Sequence, residues 1–130
     1  ILERSGWDFS SKQLILQPMS KLPELRLWLF ENGFKICDEC LVKDSGEIYT
    51  VLSVMFGWQE WSCKDIHIGR ALIVNRDPLL PEQLDKLEYK AKHVAAELKR
   101  SESKRSAEKI EELETVISYY EKAREEYYDV

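Results

Sequence analysis

Residues 14–54, LILQPMSKLPELRLWLFENGFKICDECLVKDSGEIYTVLSV, constrain the fold more than any other stretch, because strand and helix signals alternate there with clear stops between them. Leu14-Ile15-Leu16 is an unbroken apolar run, the pattern of a strand buried on both faces of an α/β sheet. It stops at Gln17-Pro18, since proline cannot donate to a sheet ladder. A helix follows, with Ser20 expected as its cap and Pro23 in its first turn, where a missing N–H does no harm. Leu22, Leu25, Trp28 and Leu29 share one face at three-and-four spacing, and Asn32-Gly33 supplies a left-handed stop. Lys35 to Val42 and Glu47 to Val54 then read as two strands around the turn formers of Lys43-Asp44-Ser45-Gly46. Strand, helix and a terminal hairpin make half of a doubly wound domain.

Several of these residues carry a family resemblance. Leu14-Ile15-Leu16-Gln17-Pro18, Leu25-Arg26-x-Trp28-Leu29, Gly33-Phe34-x-Ile36, Glu39, and Gly46-x-x-Tyr49 with Val51-Leu52 together resemble the bacterial tRNA (adenine(22)-N(1))-methyltransferase family. That resemblance implies a class I fold, S-adenosyl-L-methionine as methyl donor, tRNA as substrate and a C-terminal helical coiled-coil arm. It covers residues 1–57 by motif and the remainder by the order of elements. The family's strand end reads Gln-Pro-Asn, whereas this chain carries Met19 at the third position, so an amide that could meet a base or ribose is replaced by a thioether.

The expected fold is therefore α/β: the C-terminal half of a Rossmann-like methyltransferase sheet with a terminal β-hairpin, followed by an antiparallel two-helix coiled-coil arm. Residues 1–57 are expected to form the sheet portion, 58–80 a crossing segment and 81–130 the arm. Ile1-Leu2-Glu3-Arg4 reads as the last turns of a helix already under way, and residues 5–11, with Trp7 and Phe9, as a polar linker. The chain is accordingly expected to be part of a longer protein.

From Pro81 onward the period is helical. Leu84, Leu87, Ala91, Val94 and Leu98 recur at the seam spacing of a coiled coil, and Ile110, Leu113, Val116, Ile117 and Tyr120 rebuild a stripe after the polar break at 101–106. Two helices with a short link fold back on each other. The net charge of −5 excludes a generally basic nucleic-acid binder, so RNA contact needs a local patch. The interval Lys86 to Lys109 provides one, with eight basic residues against four acidic ones.

Candidate site residues follow. In open α/β sheets ligands bind beyond the carboxyl ends of the strands, which singles out Gln17, Pro18 and Met19; equally, Gln-Pro ends a strand and starts a loop. Arg26 either reaches a substrate phosphate or pairs with Glu24 or Glu31 on the helix surface. Lys86, Lys90, Lys99, Arg100, Lys104 and Arg105 are the tRNA-binding candidates, against a solvated helix face as the alternative. Trp58 and Trp61 either stack on an unpaired base or join the arm to the sheet portion. Tyr49 is read as hairpin packing and His67 as a packed histidine.

Cys37, Cys40 and Cys63 with His67 imitate a zinc spacing, but positions 37 and 40 of a strand point to opposite faces, so no metal is expected and the thiols are read as free. Asp38 and Glu39 likewise diverge and cannot form a catalytic carboxylate pair. No Gly-x-Gly occurs in the chain, so the cofactor is expected to be held mainly by residues upstream and this polypeptide to be inactive alone. A cytoplasmic protein without membrane contact is expected, the arm binding tRNA or a second copy. A non-enzymatic helical-hairpin interaction module on a small α/β scaffold is the alternative.

Overall fold

A computed structural model describes residues 13–101 and 103–129. The helix tail expected at residues 1–4 and the linker at 5–11, with Trp7 and Phe9, lie outside them. The chain runs β1 (Gln13–Leu16), α1 (Leu22–Glu31), β2 (Phe34–Asp44), β3 (Glu47–Phe56), α2 (Cys63–His67), α3 (Arg70–Val74), α4 (Leu80–Leu98) and α5 (Lys104–Tyr128).

The described strands form one sheet in the order β1-β3-β2, with β3 antiparallel to both neighbours. β1 and β2 therefore run parallel to each other, joined by α1 across the sheet. Ser45 and Gly46, with φ of 52° and 82°, make the two-residue hairpin turn, whose left-handed pair matches strand twist. Leu22, Leu25 and Trp28 of α1 pack against Leu29, Phe34, Ile36, Leu52 and Val54, closing one face of the sheet.

The leading strand departs from expectation. It is an edge strand of this sheet, and Ile15 is 66% exposed rather than buried on both faces. The run is apolar throughout, yet only Leu14 and Leu16 find partners beneath α1. Ser20 does not cap α1 either. Lys21 holds the cap position at φ 56° with no side-chain hydrogen bond, while Asn32 and Gly33 end the helix as the sequence indicates.

A bulge between Ile36 and Asp38 breaks the alternation of β2. The simple two-residue period fails there: Cys37 and Cys40 are both exposed, and all three cysteines are free thiols. The bulge also leaves Asp38 outside and turns Glu39 into the interior. The outer edge of β2 is closed by side chains. Gln59 accepts from the Ile36 amide and donates to its carbonyl (3.0 and 3.3 Å), and Asp77 accepts from the Leu41 amide at 2.9 Å. Such cover prevents strand addition at that edge.

The segment 58–80 holds two short helices. Trp61 stacks on Phe30 of α1 with centroids 5.5 Å apart, whereas Trp58 is 83% exposed, so neither joins the arm to the sheet. α4 and α5 form an antiparallel hairpin: Arg124, near the end of α5, meets Asp85 at 2.8 Å and Glu88 at 3.2 Å near the start of α4. Ser103 caps α5 by accepting from the Ser106 amide. At the root of this hairpin Leu84, Ala91, Tyr120 and Ala123 share a core with Leu41, Ile68 and Leu72.

Candidate nucleic-acid interface

The carboxyl end of β1 and the start of β3 lie beside the root of the helical hairpin, and a groove of about 370 Å³ separates them. Pro18, Met19 and Lys21 form one lip, Tyr49 and Thr50 of β3 the adjoining wall, and His67, Gln83, Lys90 and Tyr120 the wall opposite. Leu41, Ile68, Leu72, Leu80 and Leu84 give it an apolar lining. A mostly apolar concavity with a few converging polar groups is the usual form of a small-molecule or cofactor site.

Arg26 lies under this groove rather than on the surface. Its guanidinium contacts Glu39 at 2.6 Å, with both side chains 2% exposed, and donates to the Ile66 carbonyl at 2.9 Å. The expected pairing with Glu24 or Glu31 is thus replaced by a buried pair, because the β2 bulge turns Glu39 inward. Arg26 lines the groove, but its charge is committed. Burial pushes the Glu39 carboxyl up, opposed by the Arg26 charge and hydrogen bond. Burial and then Arg26 hold His67 below the usual histidine range, with Glu24 acting against them. Burial raises Tyr120, and Arg26 opposes the rise.

Pro18 and Met19 of the strand-end candidates line the groove, and Gln17 stands exposed just before it. The basic candidates divide into three groups. Lys86 donates to the Gly46 carbonyl at 2.9 Å and lies 3.5 Å from Glu82, fastening the arm to the hairpin turn. Lys90 stands exposed on the groove rim. Lys99, Arg100, Lys104 and Arg105 flank the helix link at the far tip, exposed and without an ion pair among the described residues. Lys21 and Tyr120 are groove residues that sequence reasoning did not single out as site candidates, and His67, read as a packed histidine, is half-buried in the same wall. A tyrosine at an apolar seam position was the available signal, since its hydroxyl needs somewhere to go.

A second cavity of about 240 Å³ lies beside Cys37, between β2 and α3, but its buried carboxylates are spent: Glu39 on Arg26 and Asp65 on Arg70 at 2.6 Å. Among the described residues no group of three or more His, Cys, Asp or Glu could hold a metal ion.

The sequence profile of the tRNA (adenine(22)-N(1))-methyltransferase family, TrmK, matches residues 1–122. The chain belongs to the TrmK family. No curated protein matches it in sequence. The Bacillus subtilis M1A22 tRNA methyltransferase TrmK superposes with a TM-score of 0.77 at 16% identity, over 88% of this chain and 52% of that one. A Streptococcus agalactiae protein of the NADB-Rossmann superfamily gives 0.68 at 25% identity, over 86% and 47%. Mycoplasma capricolum TrmK, in complex with S-adenosyl-homocysteine, gives 0.65 at 16%, over 88% and 49%. The chain thus spans about half the length of these relatives and has their α/β fold.

The groove does not suit the adenosyl cofactor of such enzymes. Its lining holds no glycine and a single carboxylate, Glu47 at the rim, whereas a nucleoside cofactor needs a tight glycine turn and an acidic partner for its ribose.

Proposed function

We propose that this chain is the C-terminal portion of an S-adenosyl-L-methionine-dependent methyltransferase that acts on N1 of an adenine in tRNA. The observation that carries this is the groove itself, walled by strand ends on one side and by the helical hairpin on the other, in a chain matched by the TrmK profile over residues 1–122. The target base enters the groove out of its stack, and the chain's contribution is to hold it in place. The methyl donor is held by segments other than the described residues.

The arm serves the RNA. Lys99, Arg100, Lys104 and Arg105 at its tip meet phosphates, Lys90 does so nearer the groove, and Lys86 braces the arm against the sheet. Pairing with a second copy is the weaker use of the arm, since its seam at the root is already filled by Leu84, Ala91 and Tyr120. Residues 81–130 act as one lever on the α/β portion. No helix among the described residues is long and apolar enough to cross a membrane, and we assign the protein to the cytoplasm, where tRNA and free thiols coexist.

The test is methyl transfer from labelled S-adenosyl-L-methionine to unmodified tRNA by the intact protein, with mapping of the modified base. Methylation at an adenine N1 is expected, with no turnover by residues 1–130 alone. An intact protein that leaves every tRNA unmodified would overturn the reading.

A further inference from the structure

Several polar side chains line the groove, among them Tyr49, Thr50 and Gln83 in its walls. Arg26 is spent on Glu39 and the Ile66 carbonyl, and Lys21 and Lys90 stand at the lips. On the helical-hairpin side, two aromatic groups can each both donate and accept. Tyr120 is 7% exposed and lines the groove, yet its hydroxyl bonds to no described residue. No fully buried side-chain oxygen or nitrogen among the described residues lacks a partner, so this hydroxyl is not fully enclosed, on a side chain that lines the groove. His67 is half-buried on the same wall, with its ring held against Tyr119 at a centroid distance of 5.8 Å. It too makes no hydrogen bond to a described residue.

We propose that Tyr120 and His67 hydrogen-bond the edge of the adenine that enters this groove, so that the root of the helical hairpin is one wall of the base pocket. This rests on the methyltransferase reading and extends it, because the arm then recognises the base as well as the RNA backbone.

The chemistry suits an adenine edge. Its 6-amino group donates and its N7 accepts, while N1 must stay free to react. A phenol can do both, and a neutral imidazole offers one donor and one acceptor. Transfer of a methyl group to N1 leaves the base positively charged, so a wall without net charge suits the product. Burial and then Arg26 hold the His67 imidazole below the usual histidine range, with Glu24 opposing, and Glu39 pairs with Arg26. The ring stacking on Tyr119 fixes the imidazole plane, which leaves its free edge pre-set for the ligand.

The test uses the intact protein with Tyr120→Phe and His67→Gln. The readouts are kcat/KM for tRNA methylation, tRNA Kd and melting temperature, each with natural tRNA and with tRNA carrying purine riboside at the target position, which lacks the 6-amino group. Each variant is expected to lower kcat/KM by about 10- to 100-fold, with Kd unchanged within about twofold and the fold retained. The loss should shrink on the purine-substituted tRNA for whichever residue meets the amino group. Tyr120→Phe removes one oxygen from a ring that stays packed, so it decides the matter even where His67→Gln folds poorly. Full kcat/KM in Tyr120→Phe, or a loss residing wholly in Kd, overturns the inference. An inactive wild-type protein would instead overturn the methyltransferase reading on which it rests.

Discussion

The Arg26 guanidinium and the Glu39 carboxylate meet at 2.6 Å with both side chains 2% exposed. This pair joins α1 to β2, and through the Ile66 carbonyl it also fixes the segment leading to the arm. Two charges in a dry interior are costly to separate, because either one alone is left uncompensated. Glu39→Gln or Arg26→Met should each destabilise by about 3–5 kcal/mol, read from urea unfolding. The double variant Arg26→Met/Glu39→Leu should cost less than the sum of the two. Strict additivity would show that the two charges do not depend on each other.

Gly69 sits against the same carboxylate. A Cβ built there would lie 2.3 Å from Glu39 Oε2, and the Gly69 φ itself is in the range open to any residue. Space, not backbone freedom, therefore requires glycine here. Gly69→Ala should cost about 1–3 kcal/mol, the range for overpacking a filled interior, and should cost less in a Glu39→Ser background, where the clashing atoms are gone. An equal cost in both backgrounds would mean that the strain lies elsewhere.

His67 gives the protein a defined pH response. Its folded-state pKa is depressed, first by burial and then by Arg26, with Glu24 opposing. Between the folded value and the ordinary histidine value near 6.5 the unfolded chain binds more protons, so stability rises with pH across that window. The contribution is complete above the unfolded value and is lost as pH falls through the folded one. The urea midpoint of wild type should fall relative to that of His67→Gln as pH is lowered from 7.5 to 5. Parallel curves would mean that His67 titrates alike in both states.

Much of the sheet portion was legible because its signals are local. Asn32-Gly33 and Ser45-Gly46 specify their turns by chemistry that needs no neighbour, and the apolar face of α1 follows from helical period. What could not be read depended on a single inserted residue. The bulge at Cys37 reverses the facing of everything after it in β2, brings Glu39 inside and so draws Arg26 from the surface into the core. Counting by twos from Phe34 cannot reveal that. Trp58 and Trp61 are alike in sequence but only Trp61 finds a ring, Phe30, within stacking reach. The groove escaped for a related reason: Pro18, His67 and Tyr120 come together only when the helical hairpin folds back against the strand ends, a relation between elements up to a hundred residues apart.

The tip of the hairpin offers the plainest separation of grip from recognition. Lys99 lies fifteen residues beyond Leu84 at the groove, about 22 Å along α4 at the usual helical rise, too far for a side chain there to touch the target base. Lys99, Arg100, Lys104 and Arg105 are therefore expected to act only through the RNA backbone, whose neutralisation releases counterions and varies with salt. Reversing all four to glutamate in the intact protein should weaken tRNA binding at low salt by at least tenfold and flatten the slope of log K against log salt by about one for each phosphate that is no longer neutralised. The same substitutions should leave stability nearly unchanged, since none of the four makes an ion pair among the described residues. Titration with unmodified tRNA at two salt concentrations measures the binding effects, and urea unfolding the stability. Unaltered affinity and slope would remove the tip from the interface and leave Lys21 and Lys90, at the lips of the groove, as the cations that meet the RNA.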